Sequence, residues 1–258
     1  SSKQEFLSTV DDNFGNMAYM RQAMMTHHIE MMNVMLLSDY DTAAGYDLES
    51  LDRLTASAAE TTAESYTAGD EDMYSIDRSG STVYDGIVSH NSGTDRAFTD
   101  ELLRTEINNI EESGGNPQVI ITGHDTYSAV QSEYSGAVRY NPLGVGNVQV
   151  GVNGIQTADG LPVGIKVATL YNVPLIKSKN TVKDTISRMY FLDTTDPEGY
   201  GEPRVYIKLA VPTQYFEAGF NTNDPISVNK LGTEGMYYTA GELVCPRFNV
   251  HGKIRDLA

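Results

Sequence analysis

Apolar residues recur at Leu103, Ile107 and Ile110 in an otherwise acidic and amide-rich stretch, the spacing of one helix face. Thr99 can cap that helix, Asp100 and Glu101 suit its positive first turn, and Phe98 and Leu103 are placed as a hydrophobic staple. Ser113-Gly114-Gly115 ends it and Pro117 prevents its resumption. The continuous run Val119-Ile120-Ile121 reads as a central strand, and a second helix follows from about Asp125 to Tyr134. Further strands are expected at Val148–Val152, Val163–Ala168, Val173–Ile176, Met189–Leu192, Val205–Val211 and Met236–Tyr238, then Leu243–Val244 with Phe248–Ile254. Asn153-Gly154 and Asp159-Gly160 mark turns, and Asp193–Pro203 is a polar loop. From about Thr94 to Ala258 the chain thus reads as a compact α/β region.

Two other textures precede it. Met17, Met20, Met24, Met31 and Met35, with His27 or His28 filling the gap, follow helical spacing over about five turns. Such a helix packs on its own domain or on a neighbouring subunit, and methionine adapts to either. From Ser38 to about Ser92 large aliphatics are scarce. Leu48–Ala59 is a short helix candidate, and Asp72–Asn91 alternates weakly around Tyr74, Ile76, Val83, Tyr84, Ile87 and Val88, as an extended arm or hairpin would. That segment is expected to have little to bury within its own chain.

Length and charge narrow the function. The 258 residues suffice for one large domain or two small ones. The formal net charge of -17 opposes direct wrapping of nucleic acid and an anionic membrane surface, and it suits either a protein working in concentrated salt or an ordinary acidic cytoplasmic protein. One cysteine, Cys245, excludes an intrachain disulfide, and no apolar run is long enough to span a membrane as a helix. The first residues carry no signal-peptide pattern and no initiator Met, which a removed tag, a trimmed chain or a processed precursor explains.

Chemistry-bearing motifs are few. His27-His28 with Glu30 lacks the spacing of a zinc helix and reads as a helix surface. His124-Asp125 follows a strand and opens a helix, a corner that often carries function, yet Asp125 reads as a cap and no phosphate loop or nucleophile elbow accompanies it. Asp193, Asp196, Glu198 and Glu202 crowd one loop and are the candidates for a hard divalent cation, with a solvated acidic turn as the alternative; no other cofactor is expected. Cys245 reads as a buried, inert thiol. Sixteen tyrosines and no tryptophan, with clusters at Tyr206, Tyr215-Phe216 and Tyr237-Tyr238, suit subunit contacts as well as cores.

The order of segments carries a resemblance. It runs through the helix Asp100–Glu112 into Asn116-Pro117-Gln118-Val119-Ile120-Ile121-Thr122-Gly123, then Gly164–Ala168, Tyr171–Ile176, Arg188–Asp193, Leu209–Phe216 and Gly241–Phe248. In this order the chain resembles the HK97-fold major capsid proteins of tailed viruses, most of all those of tailed archaeal (haloarchaeal) viruses and related prophages. The resemblance implies an α+β chain: residues 1–38 as N-terminal arm with the methionine-rich helix, 39–93 as extended loop and start of the peripheral domain, 94–118 with the spine helix, 119–186 as axial domain, and 187–258 returning to the peripheral domain. It implies no enzyme, but a virion capsid assembled in the host cytoplasm from hexamers and pentamers around double-stranded DNA. Portal, scaffold, maturation protease and decoration or vertex proteins would be its partners, with no sequence-specific nucleic acid and no membrane. The residues expected at assembly contacts are Met20, Met24, Met31, Met35, Tyr74, Tyr84, Tyr215 and Phe216. The competing readings are an encapsulin-like cellular shell, a soluble α/β enzyme using His124 and Asp125, and a tail or decoration subunit.

Overall fold

The apolar runs become strands because both faces of their sheet are covered. The computed structural model describes residues 17–39, 48–135, 168–196, 199, 201–219 and 233–258. Its strands are β1 (Ile87–Ser89), β2 (Val119–Thr122), β3 (Ala168–Leu170), β4 (Val173–Lys177), β5 (Met189–Leu192), β6 (Tyr206–Gly219), β7 (Thr233–Val244) and β8 (Gly252–Ile254). The helices are α1 (Met17–Leu36), α2 (Leu51–Leu54), α3 (Ala58–Ala63), α4 (Asp100–Glu112) and α5 (His124–Ser135). Six strands form one mixed sheet in the order β1-β8-β5-β2-β4-β3, and β6 pairs with β7 in a second sheet. Strand β2 is central as expected, parallel to β4 and antiparallel to β5.

Side chains alternate across β5 into two apolar layers. Met189 and Phe191 join Ile120, Leu175 and Ile254 under Leu103, Ile107 and Ile110 of α4 and Val130 of α5. Tyr190 and Leu192 turn the other way, onto Leu51, Leu54, Met73, Leu243 and Phe248. Each fully buried Leu or Ile here contributes roughly 2–3 kcal/mol. The Thr99 hydroxyl accepts from Leu102 N at 3.3 Å, as the capping pattern predicts. Gly114 at φ +84° ends α4 in the left-handed region, where glycine carries no Cβ penalty.

Residues 48–92 depart from expectation. They form no hairpin over Asp72–Asn91: β1 pairs in parallel with β8, and Met73 and Ile76 share an isolated bridge. Nor do they fail to bury. Leu54, Ala56 and Met73 have no exposed surface. The difference is that burial here runs through polar groups with distant partners. Arg78, 1% exposed, donates to Arg53 O at 3.0 Å and Ala56 O at 2.9 Å and stands 4.2 Å over the Phe248 ring. Arg188 reaches Asp52 at 2.9 Å, Asp184 at 2.7 Å and Asp39 at 3.1 Å. Lys253 reaches Glu60 at 2.8 Å and Asp52 at 3.2 Å, and Arg255 reaches Glu60 at 2.7 Å. Charges this deep persist only when paired or fully hydrogen-bonded. Burial pushes the Asp52 carboxyl up, but Arg188 and Lys253 outweigh it and hold it well below the usual carboxylate range.

Other boundaries shift for local reasons. Leu48–Ala59 breaks into α2 and α3, because Ser50 and Ser57 each cap a separate turn. The strands expected at Val205–Val211 and Met236–Tyr238 extend into the longer β6 and β7. Phe248–Val250 is a 3-10 turn before β8. The expectations for Val148–Val152, most of Val163–Ala168 and residues 40–47 lie outside the described residues. Among the described residues no helix is long and apolar enough to cross a membrane.

The chain divides into two units, Ser1–Val34 with Ile207–Glu242 and Met35–Tyr206 with Leu243–Ala258. The six-stranded sheet and both apolar layers belong to the second.

Candidate assembly surface

The first unit sets α1 on the β6–β7 hairpin. A Cβ on Gly241 would meet Leu209, and one on Gly235 would meet Tyr215, a falling register that makes the pair antiparallel. Arg21 bridges Glu217 at 2.7 Å and lies 5.2 Å over the Tyr215 ring. His28 Nε2 meets Thr239 Oγ1 at 2.8 Å, Thr239 meets Thr213 at 2.9 Å, and the Tyr237 hydroxyl donates to Arg21 O at 3.1 Å. The Tyr215 and Tyr237 rings stand 5.0 Å apart. The stripe of α1 turned to the hairpin is therefore Arg21, Met25, His28 and Met32, all half-buried.

That is one position away from the expected methionine stripe, which stays open. Met20, Met24, Met31 and Val34 are 36–40% exposed, and Tyr19 and Ile29 more so. The hairpin's other face is also bare, with Phe216, Met236 and Tyr238 at 43%, 58% and 47%. Phe216 and Tyr238 pack edge-on across it at 6.4 Å. Among the described residues of this unit none is fully buried. Two apolar faces without a core between them form a candidate surface for contact with other protein.

The remaining expected contacts lie in the second unit. Met35 is half-buried. Tyr84 is 44% exposed on a 3-10 turn. Tyr74, 38% exposed, is held within its own chain: its hydroxyl donates to Leu243 O and accepts from Cys245 N, and its ring lies 6.1 Å from Phe248. Met236, Ile29 and Val34 were not anticipated. Met236-Tyr237-Tyr238 has no polar spacer, so its outward face is not legible from alternation.

The catalytic corner is occupied by structure. His124 is exposed. The helix starts at His124, so Asp125 stands inside the first turn and is not its cap. Its carboxylate accepts from Ser187 Oγ at 2.6 Å and Thr126 N at 2.9 Å and pairs with Lys183 at 2.7 Å. Burial raises its pKa, but these partners prevail and hold it well below the usual range. A Cβ on Gly123 would fall 1.9 Å from Ser187 Oγ, so only glycine admits this packing. Asp193 is buried and meets Arg204 at 2.5 Å, Thr195 Oγ1 at 2.6 Å and Asn116 N at 2.9 Å. Asp196 caps its own turn through Gly199 N at 2.9 Å and Gly201 N at 2.6 Å, and Glu198 lies outside the described residues. His27 is exposed while His28 faces Thr239. Among the described residues no cluster of His, Cys, Asp or Glu fits a metal ion. Burial pushes the Cys245 thiol up to about 12.

The architecture places the chain in a class: a mixed α+β chain with a two-layered core and an exposed helix-on-hairpin unit. No protein-family model matches the chain, and no curated protein sequence does. Among solved structures it is similar to a chain of the cyanophage A-1(L) capsid asymmetric unit, at 14% identity and TM-score 0.52, covering 88% of this chain and 66% of that one. A chain of the holo-SrpI encapsulin complex from Synechococcus elongatus PCC 7942 aligns at 13% identity and TM-score 0.36, covering 66% of this chain and 52% of that one, too low to add to the fold assignment. The fold is that of a phage capsid subunit, the HK97-like class.

Proposed function

We propose that this chain is the major capsid protein of a tailed virus, many copies of which close into an icosahedral shell around double-stranded DNA. The observation that carries this reading is the fold likeness to a capsid subunit over 88% of the chain. The uncovered unit supports it, since a shell subunit keeps its apolar arms for its neighbours. In this reading α4 is the spine helix of the peripheral domain, residues 119–186 supply most of the axial domain, and copies gather as hexamers and pentamers. The formal charge of -17 makes neighbouring copies repel, so assembly strengthens as salt screens that repulsion. The same charge keeps the wall from gripping DNA, and a separate motor would fill the shell.

Particles that contain this chain, isolated from their source and treated with nuclease, test the reading. Protected DNA of genome length is the expected content. Shells filled with a cellular protein instead would overturn the viral reading and leave a cargo compartment.

A further inference from the structure

Glu106 stands where a hydrophobic residue is expected. It lies between Leu103 and Ile110 on the buried stripe of α4 and is 2% exposed. Its Oε1 has no hydrogen-bond partner among the described residues. It faces Gly252 of β8: a Cβ there would stand 2.9 Å from Glu106 Oε1 and 2.8 Å from Ile110 Cδ1. The missing side chain at 252 thus makes the space in which the carboxyl rests against the sheet.

The nearby charges leave it alone. Arg96 is the cation whose field reaches it. The Arg96 NH2 group is spent on Ser89 O at 2.6 Å, Ser89 Oγ at 2.9 Å and Arg255 O at 3.2 Å. Among the described residues its Nε is buried without a hydrogen-bond partner. Strand β1 brings Ile87, Val88 and Ser89, none of them titratable. On β8, Lys253 is committed to Asp52 and Glu60. Beyond it, Arg255 is committed to Glu60, Glu64, Asp184 and Asp256. His251, before Gly252, accepts from Asp193 N at 3.1 Å through Nδ1. The charged groups of α4 itself, Glu101, Arg104, Glu111 and Glu112, are exposed on its outer side, and Asp100 binds the Tyr134 and Tyr171 hydroxyls.

We propose that Glu106 is a proton-operated latch between α4 and the β1–β8 edge of the sheet. As the neutral acid it lies against Gly252 and α4 sits flat. As the carboxylate it must leave that apolar seat, toward the free Arg96 Nε or toward water, and α4 loosens from β8. Burial, only partly offset by Arg96, pushes the group up to about 8, so the change falls just above neutrality. The latch belongs to the folded chain and holds whether or not the chain builds a shell.

The sign follows from linkage. The folded state keeps its proton up to about pH 8, while the unfolded chain releases it near the ordinary glutamate value of 4.5. Between those values rising pH weakens folding, by up to about tenfold in the equilibrium constant per pH unit, and above them the effect is flat. Urea unfolding of the full chain from about pH 5 to about pH 9, compared with Glu106→Gln, reads this directly. The wild type is expected to lose stability relative to the variant up to about pH 8, with α4 amides losing exchange protection above that point in the wild type alone. Parallel profiles, or equal α4 protection, would overturn the latch. Should Glu106→Gln not fold, infrared spectroscopy of the wild type decides. A protonated buried carboxyl at neutral pH that disappears above about pH 9 supports the proposal, and its absence at about pH 6 overturns it.

Discussion

In the larger unit, charges such as Asp52, Glu60 and Lys253 have no exposed surface, and each is met by an opposite charge from a segment more than a hundred residues away in sequence. In the smaller unit the contacts between α1 and its hairpin are a half-exposed ion pair, hydroxyls and stacked tyrosines, while its methionines and Phe216 face outward. The same chain therefore holds one region together by internal burial and leaves apolar faces of another exposed. Buried area of the second kind appears only when a neighbour arrives. In the proposed reading, a subunit that folds alone and then joins many copies needs both.

The largest expected effect lies in the ion network. Arg188→Met leaves Asp52, Asp39 and Asp184 short of a partner and should cost about 3–5 kcal/mol in urea unfolding. A loss below about 1 kcal/mol would mean the network is not what holds the larger unit.

Next comes His251, fully buried and pushed down to about 4 by desolvation. The unfolded chain binds a proton near 6.5 while the folded one resists until about 4, so stability falls as pH drops through that window. The difference between wild type and His251→Gln should change by at most about 3 kcal/mol from pH 6.5 to 4, which thermal melts can follow. Equal slopes would show that His251 is protonated in the folded chain.

Smaller still is the Arg21–Glu217 pair, half exposed on the helix-on-hairpin unit. Arg21→Met should change stability by less than about 1 kcal/mol. A larger loss would show that this unit depends on its own contacts. The smallest effect on stability belongs to Met24→Glu with Met31→Glu, within about 0.5 kcal/mol, yet assembly followed by sedimentation should fail. Loss of folding without loss of assembly would reverse the comparison.

Legibility followed the same division. Met189–Leu192 was readable because a strand covered on both faces is apolar throughout, and α4 because cap, stripe and glycine stop all agree. Residues 48–92 were not, because their burial depends on Arg78, Glu60 and Asp52, which look like surface residues until their partners are known. On the candidate surface, helical spacing puts Met20, Met24 and Met31 on one face, which the structure leaves exposed. It could not tell that the stripe beside them, Arg21 to Met32, turns to the hairpin, because that stripe mixes cation, histidine and methionine.

The central claim is that this chain completes itself by assembling. Electron microscopy of the purified protein at ~0.1 M and ~3 M salt tests it most directly, since the Debye length is ~10 Å in the first and far shorter in the second. Closed shells, or sheets and rings of hexamers, more abundant at high salt, are the predicted result. Uniform monomers or dimers at both concentrations would contradict it.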